Sequence, residues 1–419
     1  MKTLGEYLLT VVLLGFLVMR GLVPAWNHVH SDFANYYVSA RLVVEGESLD
    51  RLYDNEWFKQ KMSEYGAPLP GKFAPFPPIT AWMMIPLTSF DVLNAQRVFT
   101  IVNLLFFLLG IFLLRELTTW KAIHCALFFL AGGLSVVNNI AFGQMYLIMT
   151  VFILLAFVLY QKGHSVWSGI PIGLFAAIKY FPILFSFSYF LSGVSARSSQ
   201  INADTKSSFS ALLTLLVLIV AQFLFFGTPL MMEFINSVLI PHLDGQLAGQ
   251  GPYSYQFQSW DSFFRNLFVA NREFNPNPII SWPGGRAIGK ICVVALLAGW
   301  TGIVMYRFRN HERGIRRTVF ISLPALAALV VLPASATYHF ALLMIPVALL
   351  LSGDVLDRKS SIVVLALYIF IGFIPYSLCF KIAESWGLFF AFPRLWLISV
   401  LYFVVALGLV RQETSIGKR

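Results

Sequence analysis

Long apolar runs separated by short polar loops set the period of this chain. Runs near the length needed to cross a bilayer as helix fall at 4–26, 94–114, 122–137, 145–160, 166–191, 209–226, 287–306, 318–332, 338–351, 362–380 and 386–410. Residues 73–90 are also apolar but carry Pro75, Pro77, Pro78 and Pro86, a density that makes a poor spanning helix. We read that stretch as a juxtamembrane helix in the outer interface. Run 166–191 is interrupted at Lys179-Tyr180-Phe181-Pro182, so it is one tilted span or two short helices hinged there. Either parsing predicts about twelve spans. No clean cleavage site follows the first run, at Leu22-Val23-Pro24-Ala25-Trp26, and it is read as a retained helix.

Composition agrees with the pattern. Hydrophobic residues make up 58% of the 419 and charged residues 12%, and the mean hydropathy is +0.73. About a quarter of a soluble domain is charged, so too little polar surface remains here to cover a water-soluble globule. The expected fold class is an all-α polytopic membrane protein forming one domain over 1–419. The net charge of +10 does not point to nucleic acid, because the basic residues cluster in short loops. These are Arg115 and Lys121, Lys162, Arg197 and Lys206, the run Arg307 to Arg317, Arg358 and Lys359, and the tail Arg411, Lys418 and Arg419. They align on one side if 73–90 lies flat and the Lys179 segment is a hairpin, and the positive-inside rule then makes that side cytoplasmic, with both termini. Cys125, Cys292 and Cys379 lie inside apolar runs and read as buried core thiols, with no metal-type spacing. Residues 192–208 read as a polar cytoplasmic linker.

On this topology the chemistry gathers on the outer face. His30-Ser31-Asp32-Phe33-Ala34-Asn35-Tyr36-Tyr37 follows the first span and opens a helical pattern. Asp32 has two open readings. It caps the helix, because Ser and Asp side chains accept from free helix amides; or it is a general base in a partly desolvated cleft, with Asn35 and Tyr36 one turn on to orient substrate. Lys179 either snorkels to the interface or binds a lipid phosphate, since ionisable residues within apolar segments carry a cost and are often functional. His339, between Tyr338 and Phe340, is an aromatic-belt residue or a hydrogen-bond donor to a phosphate or sugar hydroxyl. In the stretch 255–266, aromatics alternate with amides such as Gln258, which suits an interface helix or carbohydrate; Arg265 is a further phosphate candidate and Asp261 its partner or a cap. No Gly-rich phosphate loop, no Walker lysine and no Ser-His-Asp pattern is present. No zinc-type ligand spacing occurs either.

The order of these tracts resembles a family. Ser31-Asp32-Phe33 through Tyr37, then Gly46, Leu52-Tyr53, Phe76-Pro77-Pro78, Pro86-Leu87, Gly143-Gln144, Ser168-Gly169, Gly173-Leu174, Ala177-Ile178-Lys179 with Pro182, Gln258-Ser259 with Arg265, and Tyr338-His339-Phe340 together resemble the family-87 glycosyltransferases over 32–346. That is the polyprenol-phosphate-dependent, mannosyltransferase-like type of GT-C architecture. The resemblance implies a multi-pass plasma (inner) membrane enzyme working on the periplasmic or outer face. It implies a polyprenyl-phosphate sugar as donor and a glycolipid or glycan as acceptor, with no cofactor. It implies Asp32 as the catalytic acid residue of the first outer loop and active-site roles for Lys179 and His339. Arg265 is expected beside them at the donor phosphate, and Asn35, Tyr36, Gln144, Gln258 and Tyr338 at the substrate. The second outer turn has Gly143-Gln144 and no acidic pair, which departs from metal-dependent GT-C enzymes and argues against a divalent cation. The competing reading is a transporter or flippase of lipid-linked sugar, a class that often shows inverted repeats; here one helix break has no matching second.

Overall fold

The computed structural model describes residues 2–195, 202–246, 251–375, 377, 380–383 and 385–416. Cys379, Arg197, Lys418 and Arg419 lie outside the described residues. The fold is all-helical, with 76% of residues in helix and no strand among the described residues. It is a multi-pass membrane protein. Among the described residues, six helices are long and apolar enough to cross a bilayer, or seven if a bent pair counts as one span.

The expected count of twelve differs from this for a local reason. Several apolar runs break into helices too short to span alone. Run 122–137 divides at Gly132 and Gly133 into Ala122–Ala131 and Leu134–Ala141, bent by 78°. Run 166–191 divides into Ser165–Lys179 and Ile183–Ser195, with Tyr180 at φ +36° ending the first. Run 338–351 begins as the 3-10 turn Thr337–Leu343 and continues as Met344–Ser352.

The lipid-facing surface is read from exposure. Helix Ala203–Phe226 leaves Leu213, Leu216, Val217 and Leu224 uncovered, the last 82% exposed. Apolar surface is worth about 25 cal/mol per Å² removed from water, so a continuous apolar wall of this kind belongs in hydrocarbon. Cys292 lies on such a wall and is exposed, which corrects the buried-thiol reading; Cys125 is buried as expected.

The chain forms two compact units. The first is Met1–Leu130, Ser135–Ile183 and Phe209–Gly249; the second is Ala131–Leu134, Leu184–Ser208 and Gln250–Arg419. In the first, helix Tyr146–Gln161 packs between Val92–Thr118 and Ser165–Lys179, and helix Ser31–Val44 packs on Val92–Thr118 and on the segment Ile79–Met84.

Two expectations change here. Residues 73–90 hold only the short helix Ile79–Met84 and the turn Ile85–Leu87, and Phe73, Ala74, Phe76, Ile79 and Ala81 are buried in protein. The prolines keep the segment irregular, so its aromatics wrap around the interior and do not lie flat on an interface. Residues 192–208 are not a solvated linker at their ends. Ser192 Oγ donates to Asp204 Oδ2 at 2.8 Å and Arg313 donates to Asp204 Oδ1 at 3.1 Å, with Asp204 wholly buried. A buried carboxylate needs such donors, and these polar residues supply each other.

Candidate active site

The site forms in the first unit, around the start of helix Ser31–Val44. The chain leaves the first span at Asn27 and turns in an extended stretch through His28 to His30. Buried Gln96 pins that turn: its Oε1 accepts from His30 N at 2.8 Å and its Nε2 donates to Ala25 O at 2.7 Å. The helix cap is His30, whose Nδ1 accepts from Asp32 N at 3.2 Å while its ring stacks on Phe142. The capping role weighed for Asp32 is therefore filled by the imidazole. Asp32 sits in the first turn, where a carboxylate favours the helix dipole, and its oxygens are free for another purpose.

That purpose is a chain of three hydrogen bonds. Lys179 Nζ donates to the Tyr36 hydroxyl at 3.0 Å, the hydroxyl donates to Gln144 Oε1 at 3.0 Å, and Gln144 Nε2 donates to Asp32 Oδ2 at 2.7 Å. The polarity admits one orientation of the amide: a carboxylate can only accept, so the NH₂ end must face Asp32 and the oxygen must take the phenol. Tyr36, Gln144 and Lys179 are buried, Lys179 at 8%, whereas the Asp32 side chain keeps 27% of its surface. The acid is reachable and its supports are not.

Sequence explains how each part is placed. Asp32 and Tyr36 are four residues apart, hence on one face of one helix. Gln144 follows Gly143 at φ +65°, in the turn between Leu134–Ala141 and Tyr146–Gln161. A Cβ on Gly143 would come within 2.7 Å of Phe33 Cβ, so only glycine lets this turn lie against the Asp32 helix. Lys179 ends helix Ser165–Lys179, where the dipole favours a cation. Its ammonium lies 4.1 Å from the Phe76 ring centroid, 5.0 Å from that of Tyr146 and 5.4 Å from that of Tyr36. Such faces attract a cation that has lost its water.

Two further titratable side chains lie in the same electrostatic field. Lys72 lies in the irregular loop, whose backbone N donates to Asn35 Oδ1 at 2.9 Å. Burial lowers its pKa to about 8, partly opposed by the Asp32 charge. His242, in the short helix Ile240–Leu243, is held down to about 4 by burial and by the positive charges of Lys179 and Lys72, and its Nδ1 has no hydrogen-bond partner among the described residues. It arrives because Met231, Phe234 and Val238 pack on Ala74 beside Tyr53 and Tyr180. Neither Lys72 nor His242 was legible as a site residue, since nothing in the local pattern separates them from surface cations.

Asp32, Asn35, Tyr36, Gln144 and Lys179 are thus brought together. Asn35, expected at the substrate, is buried and holds the Lys72 loop; Tyr36 and Gln144 hold Asp32 and Lys179. The other expected residues belong to the second unit. Gln258 is fully buried, and its amide donates to Tyr255 O and Ala391 O and accepts from Arg394 N, all backbone groups that fix its segment. His339 lies in the turn Thr337–Leu343, with Nδ1 taking Ala336 N at 2.8 Å and its ring beside Tyr338. Arg265 pairs with Asp261 at 3.4 Å on helix Trp260–Phe268, which Ser259 caps.

No curated protein sequence and no solved structure is significantly similar to this chain. The model of glycosyltransferase family 87 matches residues 73–333, a shorter stretch than 32–346, leaving Asp32 and His339 outside it and Gln144, Lys179 and Arg265 within. That match covers more than half of the 419 residues, and the chain belongs to glycosyltransferase family 87.

Proposed function

We propose that the protein transfers a sugar from a polyprenyl-phosphate donor to a hydroxyl of a glycolipid or glycan acceptor, with inversion, on the outer face of the membrane. The observation that carries this reading is the bonded series Asp32–Gln144–Tyr36–Lys179, which sets a reachable carboxylate and a buried ammonium at the two ends of one rigid array. Family membership supplies glycosyl transfer. The array supplies a base and a cation for it.

In the proposed step the Asp32 carboxylate takes the proton of the acceptor hydroxyl. The oxygen forms a bond to the anomeric carbon as the bond from that carbon to the phosphate oxygen breaks. The electron pair leaves with the polyprenyl phosphate, whose charge is stabilised through the field of the buried Lys179, with Lys72 adding to it. Phosphate is a good leaving group, so no second carboxyl is needed to protonate it, unlike the paired acids of glycoside hydrolysis. One displacement inverts the anomeric centre. Gln144 and Tyr36 act as positioning residues. The parts expected of His339 and Arg265 at the donor phosphate rest on the sequence resemblance; the tertiary structure gives Arg265 a set of neighbours, taken up below.

The test is turnover by purified protein in detergent, given a polyprenyl-phosphate sugar and a membrane glycolipid extract as acceptor. A new glycosidic bond of inverted configuration, lost in Asp32→Asn with donor binding intact, supports the reading. Donor binding with no product in the wild type favours the transporter.

A further inference from the structure

A second charged centre lies in the second unit and has no part in the array above. Helix Trp260–Phe268 meets the start of the membrane-spanning helix Gly285–Phe308. The approach is close because a Cβ on Gly289 would come 2.9 Å from the Phe264 ring, and one on Gly285 2.6 Å from the Phe268 ring. Three cations then converge on one carboxylate. Arg286 donates to Asp261 Oδ1 from Nε at 3.1 Å and from Nη2 at 2.8 Å; Lys290 Nζ lies 3.3 Å from the same oxygen; Arg265 reaches Oδ2 at 3.4 Å. Asp261 is 2% exposed.

Tying two helices together needs one of these pairs. The two Arg286 hydrogen bonds to Oδ1 do that by themselves. Adding Arg265 and Lys290 places like charges side by side in a partly desolvated setting, and burial and Arg286 both work against the Arg265 charge. Arg286 and Lys290 also stand in the first two turns of their helix, the end whose dipole repels cations, and no acid occupies its first turn. Basic residues that merely anchor a span turn outward to water and head groups; these turn inward to a common point. Beside them Ile280 and Trp282 are exposed and are fastened by backbone bonds to the end of the Trp260 helix. A cationic cluster rimmed by apolar side chains, at the end of a membrane-spanning helix, matches a phosphate carried on a lipid.

We propose that Arg265, Arg286 and Lys290 form a binding site for the phosphate of a lipid head group, with Asp261 as the internal counter-charge that holds the three cations together. Binding needs no sugar transfer.

The test uses the full-length protein in detergent, with phosphatidylglycerol as probe and retained lipid adducts read by native mass spectrometry. Wild type should hold the adduct, and the double variant Arg265→Gln/Lys290→Gln, which keeps the Arg286–Asp261 bonds that tie the two helices, should need about tenfold or more lipid for the same occupancy, since a tenfold change corresponds to loss of a modest charged contact. Asp32→Asn should bind as wild type does, which separates this proposal from the transfer reaction. Equal binding by wild type and the double variant overturns it, as does full displacement of the lipid by millimolar inorganic phosphate.

Discussion

Gln144 and Asp32 lie 112 residues apart in sequence and are joined by a 2.7 Å hydrogen bond from Nε2 to Oδ2. The other end of the same amide takes the Tyr36 hydroxyl, which in turn takes Lys179. A buried amide that makes both its contacts with charged or charge-linked groups sets the direction of each, so the acid and the ammonium are oriented by one residue.

Asp32→Asn removes the proposed base and leaves an isostere that can still meet Gln144 after rotation. General-base catalysis contributes about 10²–10⁴-fold, so turnover should fall by that range with donor affinity unchanged. Turnover is read by product formation and donor affinity by equilibrium binding of a labelled donor. Turnover near that of wild type would remove Asp32 from the chemistry.

Gln144→Leu fills the same volume but leaves Asp32 and Tyr36 without the amide. A hydrogen bond to a charged group is worth about 1.5–3 kcal/mol, or roughly 10–100-fold in rate if it acts through the base. The loss should fall on kcat, with the donor KM little changed. A rise in KM alone would assign Gln144 to substrate binding. Gly143→Ala should cost stability as well, because the left-handed turn and the contact with Phe33 both oppose a side chain there; a lowered Tm accompanied by reduced kcat is expected.

Lys179→Met separates fold from function. A buried ammonium is costly to desolvate, and apolar residues of similar volume often replace buried charges without loss of stability. The variant should match or exceed the wild-type Tm, because Met packs well against Phe76 and Tyr146, while donor KM rises. Unchanged donor kinetics would place the phosphate elsewhere.

Lys72 gives the pH dependence. Its pKa in the folded protein is about 8, below the ordinary 10.5. As pH rises through about 8, its positive charge beside the site is lost, so kcat/KM for the donor should fall above that point. The folded state binds fewer protons than the unfolded chain between about 8 and 10.5, so this group's contribution to stability rises with pH across the same window. Lys72→Arg, charged throughout, should hold kcat/KM to higher pH. An identical alkaline limb in both would exclude Lys72 from the donor field.

Much of the candidate site could be read from the chain because charged residues are so rare in it. Asp32 and Lys179 stood out as single ionisable groups beside apolar runs, and Gln144 as an amide in a turn between two such runs. The same reasoning did not foresee that the polar atoms of Gln258 bond to backbone groups, and it could not choose between cap and base for Asp32. It was blind to Lys72 and His242, which look like loop cations until the prolines of 73–90 and the 228–243 segment fold them inward. Arg286 and Lys290 carry no mark in the chain that sets them apart; only the meeting of two helices at Gly285 and Gly289 turns them onto Asp261.

What the sequence alone determined is the class of protein: its apolar excess leaves no way to cover the surface with polar groups, and only helices satisfy their backbones inside hydrocarbon. The break at Gly133, the number of long helices, and the meeting of Asp32 with Gln144, Tyr36 and Lys179 were decided by tertiary structure, whereas the hinge after Lys179 was already visible in the chain. The reason is range. Hydropathy is summed over neighbours in the chain, whereas a hydrogen bond between residues 32 and 144 depends on a glycine turn fitting against a phenylalanine that no local pattern records.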